Sequence, residues 1–263
     1  MRAISSRQNQ IVADYRAAAR GDHGAGLLLD GIHLIGEALA AGLRLRQCIV
    51  AADSVDDPAV APILALAASR HVDLTTATAP VMKAVSPLAS ASPIVAIADP
   101  PVPAAEMCAA PGALIVVACD VQDPGNLGAI VRVAEAGGAS GVMAAGQSAD
   151  PFGWKALRGS MGSGLRLPIV RETSPESAVA TARRHSLRIA ATVPRGGTTL
   201  YGADLTGAVA VLIGGEGPGL PRAIIDAADV RLTISMQPPV ESLNAAVTAA
   251  LIVYEARRQR GAS

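Results

Sequence analysis

The chain has 263 residues, 51% apolar but only 2% aromatic, so its core must be built from Ala, Val, Leu and Ile. With 22 basic and 22 acidic residues the formal charge is zero, which gives no global sign of nucleic-acid binding, although a local patch would suffice. Scattered Cys48, Cys108 and Cys119, four unclustered histidines, no leader and no apolar run of ~18–20 residues exclude a disulfide framework, a metal cluster and a membrane span, and predict a soluble cytoplasmic protein.

Ser5 or Ser6 is placed to cap a first helix with Ile11, Val12, Tyr15 and Ala19 on one face. Arg2, Arg7, Arg16 and Arg20 make this start locally basic, and the stretch Arg20-Gly21-Asp22-His23-Gly24 ends the helix. Strands are predicted at 27–29, 46–50, 72–74 and 93–98, and helices at 32–41, 59–69 and 80–85. Such alternation indicates a small α/β domain over residues 1–100. Asp99 to Pro103 holds three prolines, and residues 101–112 read as a linker.

The second domain, 113–263, opens with the apolar strand Ala113–Ala118, a pattern that suits a sheet covered on both faces. Asp120 to Gly125 is a loop, and Asn126 is read as the cap of a helix ending at Gly137-Gly138. Further strands are expected at 141–144, 167–170, 187–192, 208–213 and 230–236, with helices near 152–160 and at 175–185; Arg195-Gly196-Gly197 is a loop. The last helix repeats Leu243, Val247, Ala250, Leu251 and Tyr254 at helical spacing and ends in Arg257-Arg258-Gln259-Arg260. One side of it is free to meet a partner subunit.

The chemistry is sought where strands end. In an open parallel sheet, ligands bind beyond the carboxyl ends of the strands. Gly214-Gly215-Glu216-Gly217-Pro218-Gly219 matches a dinucleotide fingerprint poorly: it carries a carboxylate and a proline and comes late in the chain, which disfavours a nicotinamide-dependent enzyme. It reads either as a plain tight turn or as a close backbone approach to an uncharged or cationic ligand. Arg132 lies six residues after Asn126, about 1.7 turns, so the two do not stack on one helix side. Read singly, Arg132 is a surface charge and Ser242 or Asn244 a helix cap.

Together, three stretches carry a resemblance: Asp123 to Ala134, Leu212 to Leu220, and Ile234-Ser235-Met236 continuing through Val240 to Val247. In order and spacing they resemble the SpoU/TrmH family of RNA ribose 2'-O-methyltransferases, of the SPOUT class. Arg158-Gly159-Ser160-Met161-Gly162 and Leu167-Pro168 look like the family's intervening segment. Upstream, Ile4 to Tyr15 and Leu27 to Ala38 resemble the ribosomal-protein-like RNA-binding domain of many members, with Asp30 where relatives often have glutamate. Ser235 and Gln237-Pro238-Pro239 depart from the family's usual proline and glycine-containing loop.

The resemblance implies an α/β trefoil-knot methyltransferase domain preceded by a small α/β RNA-binding domain. It implies S-adenosylmethionine (AdoMet) as cofactor, bound by Ile213, Gly214, Gly215, Glu216, Gly217, Gly219, Ile234, Met236, Ser242 and Leu243. Arg132, Asn126, Glu216, Ser242 and Asn244 are then the catalytic set, and a homodimer shares the RNA site. Free arginine ionises near 12.5 or above, a poor base, so Arg132 is read as a clamp before it is read as a base. Glu216 either contacts substrate or braces its loop. Ribosomal RNA (23S) is the expected substrate; transfer RNA, or a non-catalytic RNA-binding protein on the same fold, are the alternatives.

Overall fold

The computed structural model describes residues 1–22, 24–102 and 105–261. His23 in the predicted first turn and Pro103–Ala104 in the predicted linker lie outside the described residues. By packing, the chain divides into two units: Met1–Val102 with Phe152–Arg166, and Pro103–Pro151 with Leu167–Ser263.

The first unit runs β1 (Arg2–Ile4), α1 (Gln10–Ala19), β2 (Leu27–Asp30), α2 (Ile32–Ala40), β3 (Leu45–Ala51), α3 (Ala61–Ser69), β4 (Asp73–Ala77), α4 (Ala79–Val85) and β5 (Ile94–Ala98). Its sheet has the order β1-β4-β3-β5-β2, with β1, β4 and β3 parallel and β5 antiparallel to both neighbours. Helix α1 starts later than Ser5 or Ser6 would set it. Asn9 is the cap, its Oδ1 accepting from the Ile11 amide at 3.1 Å. Asp30, at the end of β2, is buried and accepts hydrogen bonds from the hydroxyls of Ser86 (2.6 Å) and Ser92, which satisfies a carboxylate that burial would otherwise penalise.

The chain continues with β6 (Leu114–Cys119), α5 (Pro124–Ala136), β7 (Gly141–Ala145), α6 (Trp154–Ser160), β8 (Ile169–Glu172), α7 (Pro175–Arg184), β9 (Arg188–Thr192), β10 (Thr198–Thr199), β11 (Val209–Gly214), α8 (Arg222–Ala227), β12 (Val230–Thr233) and α9 (Ala245–Gln259). All but α6 build the second unit. Helix α6 and the turn after it pack on the first: Leu157 and Leu165 join the core of Leu29, Leu39 and Ile94, and Arg166 pairs with Glu37. The predicted split at 101–112 places this stretch with the second domain, so the packing departs from the sequence order here.

The second sheet is parallel throughout, in the order β10-β12-β9-β11-β6-β7-β8. Strands β6 and β7 are buried along their whole length, as expected of a sheet covered on both faces. From β6 the chain steps outward to β7 and β8, then returns to the other side of β6 for β9, β11 and β12. The strand order therefore reverses beside β6, and the loops at its carboxyl edge diverge there. Among the described residues no helix is long and apolar enough to cross a membrane.

Helix α9 packs against α5, but not through the residues that the helical spacing picks out. Ala245, Ala249, Ile252, Val253 and Ala256 are buried; Val247, Leu251 and Tyr254 are 47%, 38% and 52% exposed. The helix is apolar on two sides, and the side with three alanines, Ile252 and Val253 is the one turned inward. Small residues permit a close approach: a Cβ on Gly137, just past α5, would lie 2.1 Å from Cγ1 of buried Val253. Glu255 is buried on the same helix. Its carboxylate accepts from Arg258 Nε (2.8 Å) and Nη2 (2.7 Å) and from Gln259 Nε2 (2.8 Å). These hydrogen bonds, Arg258's first, hold its carboxyl at about 2, below the ordinary 4.5.

Two outcomes are expected. Gly137→Ala overpacks the α5–α9 contact and should destabilise the fold by about 1–3 kcal/mol, with Val253→Ala restoring part of the loss. Chemical denaturation of the single and double variants checks this; independent, additive effects would contradict it. A carboxyl whose folded value lies below its unfolded one stabilises the fold at higher pH and loses that contribution as pH falls toward the folded value. Wild type should therefore lose stability between about pH 4.5 and 2 more steeply than Glu255→Gln. Equal slopes in urea midpoints across that window would contradict the pairing.

Candidate active site

A cavity of about 800 Å³ lies at the carboxyl edge of the second sheet, in the size range of small-molecule sites. It is bounded by the loops after β9, β11 and β12 and by the start of α9. Ile213, Gly214, Gly215, Glu216, Gly217 and Gly219 line it from β11 and its loop. Ile234, Met236, Ser242, Leu243 and Asn244 line it from the segment between β12 and α9. Two motifs separated by α8 and β12 thus face one space.

Glycine is required at two of these positions for packing within the protein. A Cβ on Gly215 would lie 2.0 Å from the carbonyl oxygen of Asp120, in the loop after β6, while the Gly215 amide donates to Cys119 O at 2.7 Å. A Cβ on Gly214 would lie 2.6 Å from the backbone of Gly219 and Leu220, so the loop folds back on itself. Gly217 and Gly219 hold positive φ with open space around them. The tight-turn reading and the ligand reading of this loop are therefore compatible.

Asn126 is not the cap of α5. Asp123 is: its Oδ1 accepts from the Asn126 amide at 2.8 Å, with Pro124 in the first turn. That leaves the Asn126 side chain free to bridge two other elements. Its Nδ2 donates to Glu216 Oε1, and its Oδ1 accepts from Asn244 Nδ2 at 2.9 Å. Asn244 is in turn the cap of α9, its Oδ1 accepting from the amides of Ala246 (2.9 Å) and Val247 (3.3 Å). One short chain of side chains joins the starts of α5 and α9 to the loop after β11. Ser242, by contrast, is exposed on the cavity wall, two residues before the capping Asn244.

Arg132 stands apart. It is exposed on α5, does not line the cavity, and makes no hydrogen bond or ion pair among the described residues. The structure brings Asn126, Glu216 and Asn244 together and leaves Arg132 outside that group.

Other lining residues escape the sequence reading: Thr192 at the end of β9, Val193, Pro194 and Arg195 after it, and Glu241 after β12. The available signal was positional. In a parallel sheet the loop after β9 must open on the same edge as those after its neighbours β11 and β12. Thr233 anchors this loop, its hydroxyl donating to Val193 O at 3.1 Å and accepting from the Gly197 amide at 3.0 Å. Among the described residues no group of three or more His, Cys, Asp or Glu is placed to hold a metal ion.

Comparison with known proteins identifies the family of this fold. Across 99% of this chain and 95% of the other, the sequence is 33% identical to an uncharacterized tRNA/rRNA methyltransferase of Synechocystis sp.. It is 28% identical to the 23S rRNA (guanosine(2553)-2'-O)-methyltransferase RlmP of Bacillus subtilis, over 98% of this chain and all of that one. The crystal structure of an AdoMet-bound rRNA methyltransferase from Sinorhizobium meliloti superposes with a TM-score of 0.86 at 27% identity, covering 98% of this chain and 97% of that one. The model of the SpoU rRNA Methylase family matches residues 113–254, more than half of the chain. The chain belongs to the SpoU rRNA methylase family.

Proposed function

We propose that this protein transfers a methyl group from AdoMet to a ribose 2'-hydroxyl of ribosomal RNA, with the cavity beyond β9, β11 and β12 as the cofactor site. The observation that carries the reading is the convergence of three distant stretches: Asn126 bridges Glu216 and Asn244 at the edge of the cavity that the second and third stretches line. The relatives similar over the whole chain are RNA methyltransferases, and the one of stated substrate acts on 23S rRNA.

The residues present fit the cofactor. Ile213, Ile234, Met236 and Leu243 supply apolar walls for a nucleoside, and Gly217 and Gly219 leave space a Cβ would fill. Carboxylates at the cavity suit a cationic ligand. AdoMet, when bound, supplies the electrophilic methyl. The protein must align the hydroxyl and assist loss of its proton. Asn126, held by Glu216 and Asn244, orients the mouth. Arg132, with no protein anion beside it, is assigned to the RNA, where its guanidinium stabilises phosphate or developing oxyanion charge.

Because Arg132 does not line the cavity of its own chain, the reading includes a homodimer in which the RNA site is shared. Val247, Leu251 and Tyr254 on the outward side of α9 supply the apolar contact surface. The first unit binds RNA, and the trefoil knot of the family holds the cavity loops. Buried, unpaired Cys48, Cys108 and Cys119 agree with a cytoplasmic location.

The test uses purified protein and methyl-labelled AdoMet, offered ribosomal RNA and transfer RNA separately. Label in alkali-resistant linkages of ribosomal RNA is expected; label only in transfer RNA would overturn the substrate, and no cofactor binding would overturn the reaction. Arg132→Ala should lower turnover by about 10²–10³-fold, the range for loss of a preorganised charge donor, with AdoMet affinity unchanged. Asn126→Ala should lower turnover by up to about 10²-fold through misplacement of the mouth. Wild-type turnover in either would remove that residue from the mechanism. Leu251→Glu is expected to yield a monomer by light scattering, where wild type gives a dimer mass; a monomeric wild type would contradict the shared site.

A further inference from the structure

Three ionisable side chains line the cavity: Arg195, Glu216 and Glu241. Glu216 is engaged by Asn126. Arg195 and Glu241 are exposed and, among the described residues, make no hydrogen bond or ion pair. One cation and one anion therefore face the same space from different loops without being matched to each other.

The loop that carries Arg195 is held firmly. Its two ends are tied to Thr233, the short strand β10 pairs in parallel with β12, and Gly197 has no room for a side chain, since a Cβ would lie 2.5 Å from Arg231 O. Gly196, at positive φ, completes a tight arch with Arg195 on it. A planar guanidinium on a fixed loop is suited to a carboxylate, which it can bind through two parallel hydrogen bonds. An ammonium needs an acceptor of opposite charge, and Glu241 is one. An α-amino acid carries both groups on one carbon.

We propose that Arg195 and Glu241 together recognise the zwitterionic amino-acid tail of the cofactor, Arg195 binding the α-carboxylate and Glu241 the α-ammonium. This rests on the methyltransferase reading of the cavity and assigns a task to Arg195, outside its motifs, and to Glu241, within the third stretch but outside the catalytic set. Both are positioning residues for the methyl donor rather than groups acting on the RNA. The sulfonium is then oriented from its tail, while the apolar walls hold the nucleoside.

The test is calorimetric binding to the full-length protein, with no turnover involved. The ligands are S-adenosylhomocysteine, its decarboxylated form and its deaminated form. Wild type should bind S-adenosylhomocysteine about tenfold more tightly than either truncated ligand, the scale of one charge-assisted contact in an open site. Arg195→Ala should bind S-adenosylhomocysteine and the decarboxylated ligand equally, and Arg195→Lys should recover part of the difference. Glu241→Gln should erase the preference over the deaminated ligand alone. Uniform weakening of all three ligands by Arg195→Ala would make the residue part of the loop's architecture and overturn the proposal. So would unchanged affinity, including the case in which Arg195→Ala weakens only RNA binding. Failure of wild type to bind S-adenosylhomocysteine would instead overturn the cofactor reading itself, before any variant is made.

Discussion

The second unit depends on one close passage of backbone. The loop after β11 lies against the loop after β6 because Gly215 has no side chain; the Asp120 carbonyl occupies the place a Cβ would take. The Gly215 amide donates to Cys119 O at the end of β6, so the register of β11 on β6 continues into the loops. This carries Glu216 to Asn126, and Asn126 to the cap of α9. Asp120 itself sits in the left-handed region and uses its carboxylate to accept the Gln147 amide at 2.7 Å, which fixes the third loop at that edge, after β7. A larger residue at 215 would separate the two loops and break the contact of Glu216 with Asn126.

The alternation of apolar runs and helical spacing made the α/β architecture of both units legible, because strands buried on both faces must be continuous in apolar residues. Leu114–Cys119 and Val209–Gly214 are examples, and they became neighbours at the centre of the sheet. The loop from Ile213 to Gly219 was legible as a turn, but a plain tight turn explained its glycines equally well, and only its place on the cavity wall distinguishes it. The Asn126 cap was misread because Asn and Asp compete for the same role. Asp123 precedes Pro124, which belongs in a first turn, and that proline sets the helix start three residues earlier.

Helix α9 and the segment 152–166 show where single-chain reasoning stops. Helical spacing identifies an apolar stripe but not which stripe is inside when there are two. Alanines at 245, 249 and 256 look like weak core residues, yet they are the ones that let α9 approach α5. Val247, Leu251 and Tyr254 stay outside although Ile252 and Val253, of like size, are buried, so the choice of face is set by the helix packed against α9 and not by side-chain size. Residues 152–166 leave the second unit after β7 and return to it at β8, packing meanwhile on the first unit. Nothing in local propensity signals such an excursion; its evidence is Leu157 and Leu165 in another unit's core.

Formal neutrality is also a poor guide to the surface. Several arginines of the second unit are held by nearby carboxylates: Arg183 by Asp229 at 2.7 Å, Arg188 by Asp204 at 3.6 Å, and Arg222 and Arg231 both by Asp226. Their charges cancel locally. In the first unit, Arg7 and Arg16 instead donate to main-chain carbonyls of Pro80 and Ala84, in α4, beside Lys83. A carbonyl acceptor satisfies the guanidinium without removing its charge, so Arg7 and Arg16 keep charges that no bonded carboxylate cancels. Two chains with identical net charge can therefore differ in RNA affinity according to whether arginine is bonded to carboxylate or to backbone, because only uncompensated charge displaces counterions from phosphate.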